Sequence, residues 1–207
     1  MKFEREIGNV YRLKVPFDGD VYTSVFLIRA GKGNVLIDCA TTDRDVEEYI
    51  LPALEQVGLS VGNLSCLVLT HDHGDHAGGL KRILKEFPSL RVVKSASEKI
   101  VDGLGVYALK GHTVDSIGVL DIESGTLISG DGLQGDGVGK YRRSIANEEE
   151  YLKTLTQLEK DERIENILFS HAYEPWEKCG IFGREKVKKT IKYCKKGAEK
   201  NESNRNQ

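Results

Sequence analysis

The feature that most constrains this chain is the stretch LTHDHGDHAGG, Leu69 to Gly79, at the end of the short apolar run Ser65–Thr70. Six apolar or small residues are too few for a buried helix and suit a buried strand. Three histidines and two aspartates then crowd into the six residues from His71 to His76, although the whole chain of 207 residues has only five histidines. A divalent metal wants neutral imidazoles and ionised carboxylates converging from different directions. In an extended segment, residues two apart point the same way, so His71 and His73 are set to aim at one ion. Asp75 and His76 fall at the turn into the next helix and approach from another side. Gly74, Gly78 and Gly79 let the backbone turn tightly and pack close. The alternative, a polar loop that happens to be rich in histidine, explains none of this order.

The periodicity around the cluster predicts an α/β chain. Val10–Val15 alternates, and Val21–Ala30 and Asn34–Cys39 are mostly apolar and β-branched, so all three read as strands, the last two joined by a hairpin turn at AGKGN. A helix is predicted over about Arg44–Val57 on the stripe Val46, Ile50, Ala53, Leu54 and Val57, with Pro52 a kink or break and Gly58 a stop. A second helix after the cluster carries Leu80, Ile83, Leu84 and Phe87 on one face, and Pro88 closes it. Further strands are predicted at Arg91–Lys94, Val106–Leu109, Ile117–Ile122, Thr126–Ser129 and Asn166–Phe169. A third helix over Glu148–Lys160 has Asn147 as its cap and Glu150 in a box-like position. Many strands with interspersed helices suggest an α/β sandwich.

The remaining two histidines and one more aspartate end apolar runs of their own. His112 lies in LKGHTVDSIG, Asp131 in TLISGDGL and His171 in ILFSHAYEP. Each alone is weak, because a histidine at a strand end is more often a satisfied polar group than a ligand. Together with the first cluster they form a set of the kind that converges at one sheet edge.

At this point the chain resembles the metallo-β-lactamase superfamily. His71-Asp72-His73-Gly74-Asp75-His76 matches that family's HxHxDH motif, and GHT, SGD and SHA match its later ligand stations in order, over about Gly8 to Trp176. The resemblance implies a four-layer αβ/βα sandwich of two mixed β-sheets flanked by helices, with two divalent metal ions in a cleft at the sheet edges. It assigns His71, His73 and His112 to one ion, Asp75, His76 and His171 to the other, and Asp131 to both, with Asp75 and Asp131 at the catalytic centre. Zinc is the first expectation for the metal, and the same ligand types accept manganese or iron. Asp38, at the end of VLIDC, matches the family aspartate that orients a ligand imidazole. Asp115 is a second candidate for that role, weighed against a turn-capping aspartate.

The chemistry implied is hydrolysis of a small-molecule thioester, ester or lactone by a metal-bridging hydroxide. All five histidines are used as ligands in this reading, so none remains as a general acid. That favours leaving groups that need little protonation, such as thiolates. The resemblance is to glyoxalase II-type thioesterases, but the roughly thirty residues after Trp176 are fewer than their added helical domain needs, an expectation against a glutathione thioester. The lack of room for an inserted domain argues against a nucleic-acid partner. Lys140, Tyr141, Arg142 and Arg143, and Tyr173 and Trp176, are candidate substrate contacts, against solvated-loop and packing readings. Two other readings stay open: a mononuclear iron persulfide dioxygenase, and a metal-binding domain without catalysis.

Composition supports the remaining expectations. Hydrophobic residues make up 39% and charged residues 30%, which suits a sizeable core beneath a charged surface. No apolar stretch has membrane-span or signal-peptide length, so a soluble, cytoplasmic protein without a membrane partner is expected. The four cysteines are widely spaced without a CxxC pair, and Cys39 and Cys66 read as buried free thiols. Net charge is −2, yet Arg184–Gln207 carries nine Lys or Arg against three Glu. Val187, Ile191, Cys194 and Ala198 recur there at helical spacing. A single domain over 1–200 is expected, ending in a basic helix at about 183–199 with one packed face, then a disordered tail at 201–207.

Overall fold

The computed structural model describes residues 1–133, 145–172 and 179–205. Backbone contacts divide the chain into two compact units, Met1–Val106 and Tyr107–Gln207. No helix among the described residues is long and apolar enough to cross a membrane.

The first unit is built on a mixed six-stranded sheet. Its strands are β1 (Glu4–Ile7), β2 (Val10–Asp18), β3 (Val21–Ala30), β4 (Gly33–Ile37), β5 (Leu64–Val68) and β6 (Val92–Val93), in that spatial order. From β1 to β4 each pairs antiparallel with the next. The predicted hairpin is present, with Ala30 paired to Gly33 and only Gly31 and Lys32 between them. β4, β5 and β6 run parallel, so the chain must cross over between them, and helices supply the crossings.

The first crossing is α1 (Asp43–Asp45), a π turn (Val46–Ile50) and α2 (Leu51–Gln56). Thr42 caps it with a reciprocal box to Asp45. Pro52 neither breaks the helix nor ends it. Proline has no N–H to offer the carbonyl four residues back. The helix widens to a π turn just before it, and the Leu51 N–H bonds to the Val46 carbonyl, five residues back. The predicted stripe holds: Val46, Ile50, Ala53 and Leu54 are buried, and Gly58 at φ 74° stops the helix in a left-handed conformation. A short 3-10 turn (Val61–Asn63) leads into β5.

The second crossing carries the histidine cluster into α3 (Gly74–Ala77) and α4 (Leu80–Glu86). Leu80, Ile83 and Leu84 pack on the core, but Phe87 does not. It lies past the helix end at φ −143° and is exposed, because the helix stops one residue before the apolar pattern does. One core joins Leu13, Val15, Val25, Leu27, Leu36 and Leu67 of the sheet to Val46, Ile50 and Leu54 of the helices. Phe26, Ile28, Val35 and Ile37 alternate with these and are equally buried, so β3 and β4 read as near-continuous apolar runs rather than alternating ones.

The other sheet is also mixed. It contains β7 (Leu104–Ala108), β8 (Ile117–Asp121), β9 (Thr126–Ile128), β10 (Asn166–Leu168) and β11 (Gly180–Phe182), in the order β11-β10-β9-β8-β7. β9 and β10 are parallel neighbours, and the chain between them contains α5 (Glu148–Lys160). Asn147 caps α5 as expected, its side chain accepting the Glu150 N–H at 3.0 Å. α6 (Arg184–Arg205) follows β11. Tyr151, Leu155 and Leu158 of α5 and Val187, Ile191, Cys194 and Ala198 of α6 form one core with Leu120, Leu127 and Ile167 of the sheet. The basic terminal helix therefore has the packed face its spacing predicts. The strands β1 and β11 are not apparent in the sequence pattern. Each is short, and each pairs along only one edge. All four cysteines are buried free thiols.

Candidate metal centre

In the first unit the ligand segment leaves the carboxyl end of β5, beside the carboxyl end of its parallel neighbour β4. That position is where open α/β sheets gather functional groups, because the crossovers leave a crevice there. Asp38 ends β4 and its N–H bonds to the Val68 carbonyl at 2.9 Å. The Asp38 side chain is buried, and its backbone is left-handed at φ 61°. Its Oδ1 accepts the Thr70 N–H at 2.8 Å, and its Oδ2 accepts the Thr70 hydroxyl at 2.8 Å. The same Oδ2 lies 2.7 Å from Nδ1 of His76. Having given its proton to Asp38, the Thr70 hydroxyl is free to accept from Nδ1 of His71, 3.1 Å away. Both imidazoles thereby carry their proton on Nδ1 and keep the Nε2 lone pair available. That is the tautomer a metal-ligating histidine needs.

The same unit packs three imidazoles together. The His71 ring centroid is 4.6 Å from that of His73 and 4.2 Å from that of His76. His71 and His76 are buried and His73 is exposed. Asp75 Oδ2 lies 3.5 Å from His76 Nε2. The backbone beneath is clamped. The Asp75 carbonyl accepts from the Thr23 hydroxyl at 3.0 Å, and the His76 carbonyl accepts from the Cys39 N–H at 2.8 Å. A Cβ at Gly78 would lie 1.8 Å from the Thr41 carbonyl oxygen, and one at Gly79 would lie 2.2 Å from the Cys39 oxygen. These two glycines let α3 and α4 sit directly on the segment that carries Asp38.

The second unit repeats the principle. Asp131 and His171 follow the parallel strands β9 and β10, and His112 follows β7. His112 Nε2 is 3.9 Å from Oδ2 of Asp131, and His171 Nε2 is 3.6 Å from Oδ1 of the same carboxylate. α5 fixes the approach to His112. Its amino end bonds to the Gly111 carbonyl through the N–H groups of Ala146 and Asn147, at 2.7 and 3.1 Å. Thr154 donates to the Lys110 carbonyl at 2.8 Å. Gly111 stands at φ 140°, and a Cβ there would meet Tyr151 at 2.6 Å. Asp115 takes the turn-capping role: its carboxylate accepts the Thr113 hydroxyl at 2.6 Å, in a turn also tied by Ser116.

The donor set fits a metal. The three imidazole-to-carboxylate separations, 3.5, 3.6 and 3.9 Å, exceed a hydrogen bond. They approach the spacing of about 3.4 Å between two ligands each held about 2.0–2.1 Å from one tetrahedral ion. Asp131 turns one oxygen toward His112 and the other toward His171.

The structure thus brings together His71, His73, Asp75 and His76 in one unit and His112, Asp131 and His171 in the other. Lys140, Tyr141, Arg142, Arg143, Tyr173 and Trp176 lie outside the described residues. Sequence reasoning did not single out Thr70, whose hydroxyl links Asp38 to His71. Its position, a polar residue ending an apolar strand directly before the first histidine, was the available signal.

Residues 18–99 match the sequence profile of the Metallo-beta-lactamase superfamily. The chain is 30% identical over 163 residues to a hydroxyacylglutathione hydrolase of Vibrio cholerae, covering 67% of this chain and 63% of that protein. It is 26% identical over 130 residues to an atrochrysone carboxyl ACP thioesterase of Pseudocercospora fijiensis, covering 56% of this chain and 38% of that protein. The chain thus spans less than two thirds of the length of either relative. In structure it is similar to the metallo-beta-lactamase FIM-1 from Pseudomonas aeruginosa in its mono-zinc form, with a TM-score of 0.73, 17% identity, and 97% of this chain and 95% of that one covered. This last likeness concerns the fold.

Proposed function

We propose that this chain, whose residues 18–99 match the metallo-beta-lactamase superfamily and whose fold is similar to that of a metallo-beta-lactamase, is a metal-dependent hydrolase of small-molecule thioesters, esters or lactones. Seven side chains would hold two divalent ions, zinc by preference: His71, His73 and His112 would take one, Asp75, His76 and His171 the other, and Asp131 would serve both. The observation that carries this reading is the Asp131 carboxylate, with one oxygen turned to His112 and the other to His171.

Divalent cations at such a centre lower the pKa of water toward neutrality and polarise an acyl oxygen. The chain's own residues supply the rest. Asp38 and Thr70 hold His76 and His71 in one tautomer and one orientation. Asp131 turns one carboxylate oxygen to His112 and the other to His171. With every histidine engaged, no imidazole is left to protonate a departing group. Substrates whose leaving group is stable as an anion are therefore preferred, thiolates first. Two relatives bear names in keeping with this, one a hydroxyacylglutathione hydrolase and the other an ACP thioesterase.

The test is metal content by elemental analysis together with turnover on a panel of acyl thioesters, lactones and phosphoesters. The expected result is about two ions per chain and hydrolysis of thioesters. Chelation should abolish turnover, and Asp131→Ala should lower it by at least about a hundredfold. Near-wild-type turnover in the Asp131 variant, or turnover that survives complete chelation, would refute the proposal.

A further inference from the structure

The motif contains a second aspartate that the seven-ligand set does not use. Asp72 stands between His71 and His73, and its carboxylate points to solvent, where Lys94 Nζ meets it at 2.8 Å. Lys94 is not a loosely placed surface lysine. It directly follows β6, whose parallel register on β5 pairs Val93 with Val68, and the Leu69 N–H bonds to the Val93 carbonyl at 3.0 Å. This brings Lys94 alongside the start of the ligand segment. Its backbone is then fixed by Glu98, whose Oε1 accepts the N–H groups of Lys94 and Ser95 at 3.0 and 3.2 Å. Arg91 in turn holds Glu98 and the Lys99 carbonyl.

We propose that Lys94 is a positioning residue of the metal centre, holding Asp72 outward and so directing His71 and His73 inward. The inference rests on the metal-centre reading above. Side chains along an extended segment alternate in direction. His73 has extended backbone angles, φ −66° and ψ 148°. Rotation of the segment about its own axis would move all three side chains together. Thr70 and Asp38 grip the buried side of this segment, and the ion pair to Lys94 grips the exposed side. The pair also keeps a competing carboxylate away from a centre that already has Asp75.

Charge alone predicts the opposite effect, which makes the role testable. Removing a lysine near a cation site removes repulsion and should tighten zinc binding. Removing a positioning residue should weaken it. Zinc affinity is to be measured by competition with a chromophoric chelator for the wild type, Lys94→Ala, Lys94→Arg, Asp72→Ala and the Asp72→Ala/Lys94→Ala double variant, with circular dichroism confirming the fold.

The expected result is a two- to tenfold weaker affinity in Lys94→Ala, recovery in Lys94→Arg, and no further loss when Lys94→Ala is added to Asp72→Ala. An affinity that is unchanged or tighter in Lys94→Ala overturns the positioning role, as does a double variant whose losses multiply. Either of those outcomes with normal zinc binding by the wild type leaves the metal centre standing. A wild type that binds no zinc overturns both.

Discussion

Replacing Asp38 by Asn changes one oxygen to an NH2 group and little else. Asparagine tolerates the left-handed backbone that this position holds at φ 61°, so the substitution isolates hydrogen-bond polarity from strain. In the native arrangement both carboxylate oxygens only accept: Oδ1 from the Thr70 N–H, Oδ2 from the Thr70 hydroxyl and from His76 Nδ1. An amide cannot reproduce this. With its oxygen toward the Thr70 N–H, its NH2 faces His76 and drives the imidazole proton to Nε2, which removes the metal-binding lone pair. Turned the other way, its NH2 faces the Thr70 N–H, and a buried donor goes unmet, at a cost of about 1–3 kcal/mol. The first outcome should weaken metal binding at His76 by about 10–100-fold, or about 1.4–2.8 kcal/mol. The assay is a chelator competition paired with urea denaturation of the metal-free protein. Wild-type affinity and wild-type stability together in Asp38→Asn would refute the claim that Asp38 fixes the tautomer.

Two further predictions concern the scaffold. Gly78→Ala should destabilise the fold by at least about 2 kcal/mol in urea denaturation, since its Cβ would sit 1.8 Å from a backbone oxygen. Gly74→Ala, with nothing within 4 Å of its added Cβ, should stay within about 1 kcal/mol of wild type. The cluster Tyr107–Asp161–Arg163 should make stability pH-dependent at both ends. Hydrogen bonds from Arg163 and then Tyr107 hold the Asp161 carboxyl below its ordinary range. Its contribution is therefore present above the unfolded carboxylate pKa and is lost as pH falls. Burial, and then the bond to Asp161, pushes the Tyr107 hydroxyl up to about 12. That contribution is present below about 10 and is lost as pH rises toward 12. Asp161→Asn should cost about 1–2 kcal/mol at neutral pH, limited by the exposure of Arg163, and the difference from wild type should close in acid. A pH-independent difference in denaturation midpoint would contradict this.

Much of the candidate site was legible because its residues are chemically rare and punctuate the pattern. Five histidines in 207 residues, each at or just after the end of an apolar run, mark positions that hydrophobic burial alone would not choose. The helices were legible from their stripes, because each packs on one face against a sheet. Pro52 was misleading because a proline reports only what its own residue cannot donate. The π turn that absorbs it is a property of the whole helix packed on the core. Phe87 was misleading because periodicity cannot see where a helix stops. β1 and β11 were missed because a short strand held along one edge needs no apolar alternation.

The sequence by itself determined which atoms are available to bind a metal and the order in which the chain delivers them. It also placed each of them at or after the end of an apolar run, among strands with interspersed helices, the pattern of an α/β sandwich. Tertiary structure alone decided how each ligand is held. The Thr70 hydroxyl relays between Asp38 and His71 only because β4 and β5 are neighbours, and Lys94 reaches Asp72 only because β6 adds to the same parallel edge. Tyr151 fits over Gly111 only because α5 packs beside the turn before His112. These contacts join residues from 22 to 40 positions apart. No local pattern encodes such a pairing, because what selects it is the three-dimensional register of packed elements.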